Sequence, residues 1–489
     1  MKRLTAGFLP PIALDETSDT PMYQQVSNWF RQAIMDGRLR PGQRVPSTRQ
    51  LAHELHVSRI PLLSAYEQLH AEGYLESFVG AGTCVARSIT QGPLKPVVAK
   101  LPVRTGRRAS RKISRRVAAL RTPASPWLKN LGAFRVGLPA LEHFPFRIWS
   151  KLVNRYSRKP TTAMMTYGEA MGHLPLRETI AEYLGAFRGV RCEASQILVT
   201  NGSQQGLQIC AQVLLDFKDR VWIEEPGYPG AQQALVTTGA RLIPVPVDQD
   251  GPDIAQEIRR RKNARVIYIT PSHQFPLGMT MSAARRMQLL NWAEGHGAWI
   301  IEDDYDSEYR FEGRPIAALQ GLDTHARVIY VGTFSKVMFP SLRLGYVVIP
   351  KDLVPAFSLA RDAIDTFSST LYQLVMTDFI REGHFARHIR RMRMLYMERR
   401  TALVEAIRVQ MADKLDVVGA GIGMQLTALL PSGVSDVVVS RKAAQAGISA
   451  RPLSLCCLKP PARGGLILGY GGANVEEIRD GVAKLKMCI

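Results

Sequence analysis

The stretch "GTFSKVMFPSLRLGY" (residues 332–346) places a single lysine, Lys336, among small and hydroxyl residues, directly after the apolar run "RVIYV" (327–331). Such a run predicts a buried β-strand, and a lysine is rarely buried without a function. The ordinary interpretation is a lysine in a surface loop. Only the surrounding sequence can show whether Lys336 instead has a chemical role.

Apolar runs that alternate with helical patterns fill the C-terminal two thirds of the chain. The runs are "QILVT" (196–200), "RVWIEE" (220–225), "RLIPVPV" (241–247), "RVIYIT" (265–270), "GAWIIEDD" (297–304) and "RVIYV" (327–331). This alternation predicts an α/β domain with a mostly parallel sheet. In such sheets ligands bind beyond the carboxyl ends of the strands, where these runs turn polar.

The polar residues at that edge suit one ligand. "TNGSQQGL" (200–207) puts Ser203 and Gln204 at a helix start, where free N–H groups favour a phosphate. Asp303 and Tyr305 stand two apart, hence on one face, and could bind a pyridine nitrogen and a ring hydroxyl. Further phosphate donors surround the lysine: Thr333, Ser335 and Arg343. Each motif alone fits a capped helix or a solvated acidic turn; together with Lys336 they predict pyridoxal 5′-phosphate in a Schiff base.

The N-terminal part predicts a DNA-binding fold. Ser47 precedes "TRQLAHEL", a short helix; Ser58 can cap a second helix, "RIPLLSAYEQLHAEG", with Leu62, Leu63, Tyr66 and Leu69 on its apolar face. "YLESFVGAGTCVA" (74–86) then predicts a hairpin with a glycine-containing turn. Two helices and a hairpin make a winged helix-turn-helix whose second helix enters the major groove. The residues expected at DNA are Ser47, Arg49, Ser58, Arg59 and Gly82 of the wing.

A basic segment separates these parts. Residues 96–125 carry nine Lys or Arg and no acidic residue, within a chain of formal net charge +21. Few large apolar residues occur there, so the segment predicts a solvated linker, with or without phosphate contacts. The high overall charge indicates a polyanionic partner.

Two resemblances follow from these motifs. "PSTRQLAHELHVSR" and "GAGTCVA" resemble the GntR-superfamily DNA-binding domain, whereas "NGSQQ", "EDDY" and "TFSK" resemble fold-type I aminotransferases. Their combination resembles the MocR-type regulators. The resemblance implies a multidomain fold: a small α+β winged helix-turn-helix domain at 20–88, a basic flexible linker at 89–129, and an α/β aminotransferase-like domain at 130–489. This last domain would join a large, mostly parallel sheet to a smaller C-terminal α+β subdomain.

The resemblance also implies roles for residues. Lys336 would form the Schiff base, Asp303 would bind the pyridine nitrogen and Tyr305 the ring hydroxyl. Tyr228 of "EEPGYPG" would stack on the ring, and Tyr167 of "YGEAMG" would reach the phosphate bound by the partner subunit of a homodimer. The phosphate side would comprise Ser203, Gln204, Thr333, Ser335 and Arg343.

The chain departs from the aminotransferase pattern at the substrate side. "FPLG" (275–278) puts Phe275 where these enzymes have an asparagine, and the late strand "LILGY" lacks their carboxylate-binding arginine. Arg451 in "ISARPLS" is the nearest candidate for an effector carboxylate, with a solvated strand-end arginine as the alternative. Gly230 occupies a position where some relatives carry an arginine, which disfavours 4-aminobutyrate as effector.

Composition limits the remaining possibilities. Six scattered cysteines without a CxxC pair indicate a reducing cytoplasm and no metal site, and no apolar run is long enough for a membrane helix. Two functions remain: a pyridoxal phosphate-dependent transcriptional regulator that senses an amine, an amino acid or the cofactor itself, or an active aminotransferase carrying a DNA-binding head. The winged helix, the basic linker and Phe275 favour the regulator. We expect it to bind a double-stranded operator with two half-sites.

Overall fold

The computed structural model describes residues 11–15, 18–78, 82–88, 114–118, 120, 132–260, 263–311, 316–412 and 414–489. The chain divides into two compact units, Met1–Lys112 and Ile113–Ile489. Most of the predicted linker (89–129) lies outside the described residues; within it, α4 (Arg115–Ala118) is a single helical turn. No helix in the described part of the chain is both long and apolar enough to cross a bilayer.

The first unit is a winged helix-turn-helix, as the sequence predicts. It comprises α1 (Met22–Met35), α2 (Thr48–Glu54), α3 (Arg59–Ala71), β1 (Leu75–Phe78) and β2 (Gly82–Val85). β1 and β2 pair antiparallel as the wing. α1 is an addition to the two predicted helices, and it packs mainly against α3.

The core of this unit corrects one prediction about α3. Leu62, Tyr66 and Leu69 are buried as expected, whereas Leu63 is 37% exposed. Leu63 follows Leu62 by one position, hence by about 100° around the helix axis, and this turns it away from the core. Ala65 takes the inward position instead.

The second unit is built on an eight-stranded sheet. Its strands are β3 (Ile197–Thr200), β4 (Arg220–Glu225), β5 (Arg241–Asp248), β6 (Gly251–Pro252), β7 (Val266–Ile269), β8 (Trp299–Asp304), β9 (Val328–Thr333) and β10 (Gly345–Val348). The spatial order is β3-β10-β9-β8-β7-β4-β5-β6. β9, β8, β7, β4 and β5 are parallel neighbours, which confirms the mostly parallel sheet. β10, not predicted as a strand, runs antiparallel between β3 and β9.

Helices cover this sheet because its central strands are buried on both faces, with every residue of β7, β8 and β9 inside. These helices are α5 (Phe146–Ser157), α6 (Thr162–Met165), α7 (Leu174–Arg188), α8 (Ser203–Leu214), α9 (Pro229–Val236), α10 (Ile254–Arg259), α11 (Ala283–His296), α12 (Val354–Asp365) and α13 (Thr370–Arg381).

A smaller α+β part completes the unit, as predicted. Its antiparallel sheet has the order β11 (Asp416–Val418), β12 (Gln425–Leu429), β14 (Gly465–Gly469), β13 (Arg451–Pro452). Its helices are α14 (His384–Met411), α15 (Asp436–Gln445) and α16 (Val475–Lys486).

Candidate cofactor site and nucleic-acid interface

One cavity of about 240 Å³ lies beyond the carboxyl ends of the central strands. Ten residues predicted to bind the cofactor or an effector line it: Ser203, Gln204, Tyr228, Asp303, Tyr305, Thr333, Ser335, Lys336, Arg343 and Arg451. Parallel strands end at the same edge of a sheet, so the loops after β3, β4, β8 and β9 bring the first nine together, whereas Arg451 comes from the second sheet. Tyr167 lies elsewhere, in a separate surface depression.

Lys336 projects into this cavity. Its Nζ donates a hydrogen bond to the Gly137 carbonyl oxygen at 3.2 Å. Burial lowers the pKa of the Lys336 amine, against the opposing effect of Asp306 and Asp303, so its neutral, nucleophilic form becomes more accessible. Gly137 has φ +73°, and a Cβ there would overlap Lys336 Nζ. A side chain at position 137 would therefore push the lysine aside, and the positive φ also favours glycine there.

One oxygen atom of Asp303 is buried without a hydrogen-bond partner among the described residues. Tyr268 donates its hydroxyl to Asp303 Oδ2 at 2.7 Å, whereas Oδ1 is buried and has no hydrogen-bond partner among the described residues. Burial raises the pKa of Asp303 to about 7. A protonated ring nitrogen would supply both the missing donor and a compensating positive charge.

Tyr305 belongs to a buried group that the sequence did not reveal. His273 Nδ1 lies 2.7 Å from Asp306 Oδ1 and 3.1 Å from the Tyr305 hydroxyl, and the two rings stack with centroids 5.4 Å apart. A short contact with a carboxylate places the ring hydrogen on Nδ1, where it is donated to Asp306. A nitrogen that carries this hydrogen cannot accept from Tyr305, so the phenolic hydrogen stays free to donate elsewhere. Phe275 lines the cavity beside Tyr305 without any polar atom of its own.

The phosphate side centres on the start of α8. Gly202 precedes this helix at φ +87°, and the guanidinium of Arg343 lies over it, with Nη2 donating to the Asn201 carbonyl oxygen at 2.8 Å. The first N–H groups of an α-helix have no intrahelical acceptors, and with Ser203 and Arg343 they form an anion-binding corner. The Gln204 side chain, by contrast, is engaged with the Gly230 carbonyl oxygen.

Arg451 lies beside the aromatic residues of the cavity. Its guanidinium carbon is 5.9 Å from the centroid of Phe275, and its buried Nε has no hydrogen-bond partner among the described residues. Tyr228 packs its ring edge-to-face on Phe275 at 5.5 Å. A Cβ on Gly230 would meet the Tyr228 ring, so an arginine at position 230 would not fit this arrangement.

Tyr167 is 86% exposed, and its ring contacts Phe367 at 6.1 Å, edge to face. Within this chain it does not line the cavity that holds Lys336. Large apolar side chains near it in sequence or in the adjoining helices are exposed as well: Met165, Leu359, Ile364 and Tyr372.

The candidate DNA contacts lie at the amino ends of α2 and α3. The Ser47 hydroxyl caps α2 by accepting from Gln50 N at 3.2 Å. Ser58 precedes α3 at the N-cap position, but its side chain makes no capping hydrogen bond, which corrects the capping prediction; the residue is exposed. Arg49 and Arg59 are exposed, and Arg59 Nε donates to Thr48 Oγ1 at 3.3 Å. Gly82 begins β2 at φ +83°.

Sequence analysis did not identify several residues in or beside the cavity: Gly137, Tyr268, His273, Asp306 and Gln425. For His273 the available signal was its position in "PSHQFPLG", directly after the strand "RVIYIT", at the edge of the sheet where ligands bind. Among the described residues, no cluster of His, Cys, Asp or Glu could hold a metal ion.

The residues present fit pyridoxal 5′-phosphate on these observations. Asp303 Oδ1 lacks a donor among the described residues, the Lys336 amine lies against Gly137, and Arg343 with the α8 amino end suits a phosphate. The chemistry available there is a covalent link between the Lys336 amine and the cofactor's aldehyde.

Comparisons with known proteins agree with both halves. The family model "Aminotransferase class I and II" matches residues 141–464, and "Bacterial regulatory proteins, gntR family" matches residues 22–85. The α-aminoadipate aminotransferase LysN of Thermus thermophilus, solved with N-(5′-phosphopyridoxyl)-L-leucine, superposes with a TM-score of 0.71 at 29% identity. That match covers 77% of this chain and 96% of LysN.

Two regulators match along nearly the whole chain. The probable rhizopine catabolism regulatory protein MocR of Rhizobium meliloti is 42% identical over 97% of this chain and 95% of its own. The pyridoxine biosynthesis transcriptional regulator PdxR of Corynebacterium glutamicum is 30% identical over 96% of each chain. This chain therefore belongs to the MocR-type transcriptional regulators, which join a GntR-family helix-turn-helix domain to an aminotransferase class I and II domain.

Proposed function

We propose that this regulator senses an amino acid through pyridoxal phosphate bound at Lys336 and converts the exchange into altered operator binding. The observation that carries this proposal is the buried Arg451 Nε without a partner among the described residues, in the same cavity as Lys336 and Asp303. A carboxylate of the effector would accept a hydrogen bond from this Nε and balance the guanidinium charge. An amine without a carboxylate offers no such acceptor.

Each residue has a defined task in this proposal. The cofactor, when bound, supplies an electrophilic carbon at which the amine of an effector can replace the amine of Lys336. Asp303 holds the proton on the ring nitrogen, Tyr305 donates to the ring hydroxyl oxygen, and Tyr228 covers the ring face. Arg343 and Ser203, with Gln204, Thr333 and Ser335 around them, hold the phosphate. Phe275, Val136 and Met424 present an apolar wall to the effector's side chain.

The names of the relatives leave the effector open: one regulator is named for rhizopine catabolism, another for pyridoxine biosynthesis. Titration with a panel of compounds decides whether the effector is an amino acid, an amine or the free cofactor. Purified holo-protein would be titrated with amino acids, with the corresponding decarboxylated amines and with free cofactor, while cofactor absorbance and operator affinity are recorded.

Arg451→Gln supplies the variant test. We expect it to weaken the response to amino acids about tenfold or more, the loss of one charge-assisted hydrogen bond, and to leave the response to the matching amines unchanged. Arg479→Gln, an exposed arginine on α16, is the matched control and should respond as the wild type does. Equal loss of amine and amino-acid responses in Arg451→Gln would contradict a carboxylate-binding role.

We further propose a homodimer in which Tyr167 completes the partner's phosphate site. Its 86% exposure, together with exposed Met165, Leu359 and Tyr372, supports a surface that a second copy covers. Subunit complementation tests this. Tyr167→Ala and Lys336→Ala variants would each retain cofactor poorly. Mixed heterodimers would regain one intact site per dimer, because one chain supplies Lys336 and the other Tyr167. No recovery on mixing would contradict the shared site.

The first unit is proposed to place the amino end of α3 in the major groove, with Ser47, Arg49, Ser58, Arg59 and Gly82 at the DNA. The winged fold and the exposure of both arginines support this placement. All six cysteines are free thiols, which supports a reducing compartment and, with a DNA partner, the cytoplasm.

A further inference from the structure

Two large apolar side chains face solvent at the start of α3. Ile60 is 74% exposed and Leu63 is 37% exposed. They stand three positions apart, so they lie side by side on one face of the helix. A single exposed apolar residue is ordinary, but an adjacent pair at the amino end of the proposed recognition helix requires an explanation.

The rest of the unit prevents this pair from turning inward. The opposite face of α3 is already filled by Leu62, Tyr66 and Leu69, which are at most 4% exposed. The Tyr66 hydroxyl donates to the Pro46 carbonyl oxygen at 2.9 Å, and its ring packs edge-to-face on Phe30 at 5.5 Å. Ile60 and Leu63 are therefore held outward by the core.

Exposed cations occur in the same unit. Arg59 precedes Ile60 on α3, and its Nε donates to Thr48 on α2, next to exposed Arg49. Exposed Arg44 lies against Gly82 at the turn end of the wing. The unit thus presents an apolar pair together with basic side chains. This matches a duplex major groove, where phosphates line both edges and the 5-methyl group of thymine is the apolar feature of the floor.

We propose that Ile60 and Leu63 read thymine 5-methyl groups in each operator half-site, as specificity-determining residues. This inference rests on the proposed placement of α3 in the major groove. It predicts that the half-site contains thymine where α3 enters. Arginine and serine contacts supply the phosphate and polar part of recognition, whereas the methyl contacts distinguish thymine from cytosine by shape and hydrophobicity.

Replacing thymine by deoxyuridine tests the inference, because it removes the methyl group and keeps every hydrogen-bonding atom. Duplexes would first be selected from a random pool by the full-length holo-protein, and dissociation constants would then be measured for the selected duplex and for single dT→dU replacements. We expect one or two positions per half-site at which the replacement weakens binding about fourfold, equivalent to ~0.8 kcal/mol for one buried methyl-sized group.

The variants Ile60→Ala and Leu63→Ala complete the test. Each should bind the thymine duplex more weakly than wild type and should abolish the thymine preference at one position, so that variant and base effects are not additive. Val409→Ala removes an apolar side chain from α14 that is exposed to about the same extent as Ile60. It should leave the dissociation constants for the thymine duplex and the deoxyuridine duplexes unchanged. Unchanged thermal unfolding would show that the alanine variants are folded.

The outcomes are distinguishable. Deoxyuridine replacements without effect at every position, or a thymine preference retained in both alanine variants, would overturn the reading of methyl groups while leaving DNA binding intact. A protein that enriches no duplex from the pool would overturn the proposed DNA-binding placement, and this inference with it.

Discussion

Lys336 decides whether the cavity carries a cofactor covalently. We expect Lys336→Ala to lose every cofactor link that borohydride can reduce, because no other amine lines the cavity among the described residues. The fold should persist, since the substitution removes a desolvated amine whose pKa burial already lowers. Mass spectrometry after reduction measures the link, and Lys351→Ala, an exposed lysine paired with Glu193, is the control. A reducible link in Lys336→Ala would refute the assignment.

Asp303 gives the apo-protein a pH dependence with a definite sign. Its pKa of about 7 exceeds the ordinary value near 4, so the folded state keeps a proton that the unfolded chain releases. Its contribution to the free energy of unfolding is complete below about pH 4 and falls by up to ~1.4 kcal/mol per pH unit until about pH 7. Asp303→Asn should flatten this decline, measured by denaturant unfolding at several pH values.

The same variant should also weaken cofactor retention, because a neutral amide holds a protonated ring nitrogen poorly. Glu308→Gln is the matched control: burial, together with nearby Asp304, also raises the pKa of Glu308 to about 7, but its carboxylate accepts from Tyr183 outside the cavity. It should flatten the pH dependence and leave cofactor affinity unchanged. Unaltered cofactor affinity in Asp303→Asn would contradict the role at the ring nitrogen.

At the scale of elements, the paired amino ends of α2 and α3 form the proposed DNA-contacting edge. Arg49→Ala and Arg59→Ala should each cost about 1–3 kcal/mol of specific binding free energy if they contact bases, or reduce the salt dependence by about one unit if they contact phosphates. Anisotropy titrations at several salt concentrations distinguish base contacts from phosphate contacts. Arg31→Ala is the control, since Arg31 pairs with Glu72 at the opposite end of α3. Wild-type affinity in both variants would show the groove placement to be wrong.

At the scale of the whole molecule, we expect linker length and dimer formation to determine affinity. A linker of about 40 residues without regular structure, as the sequence predicts for 89–129, would span roughly 35 Å r.m.s., comparable to one turn of DNA, so a dimer would present two heads to two half-sites. Duplexes with one half-site should bind markedly more weakly, because the second contact is intramolecular. Competition between one-site and two-site duplexes measures the difference, and equal affinities would contradict it.

Neutralising the linker cations should reduce the salt dependence of binding and leave the half-site preference unchanged. The residues to replace are Arg107, Arg108, Arg111, Lys112, Arg115 and Arg116. Affinity measured from low to high salt gives the slope of log K against log salt. An unaltered slope would mean that the linker contributes length alone.

The sequence by itself determined the two domain types and which strand-end residues would meet in one cavity. Lys336, Asp303 and Tyr305 could be predicted because parallel strands end at one edge, so residues that follow successive strands must converge there. The helices α2 and α3 could also be predicted, because their apolar periodicity involves only residues close together along the chain. Each of these features depends on periodicity or on the residues next to a strand.

Only the tertiary structure decided which distant segments complete the site. Gly137 reaches Lys336 from 199 positions away, and Arg451 approaches Phe275 from a separate sheet. It also showed that Leu63 faces solvent, because Ala65 fits the core instead. Contacts between residues far apart along the chain cannot be predicted from local periodicity. They depend on how the helices and strands pack together, and this packing is determined by the shapes of their buried faces.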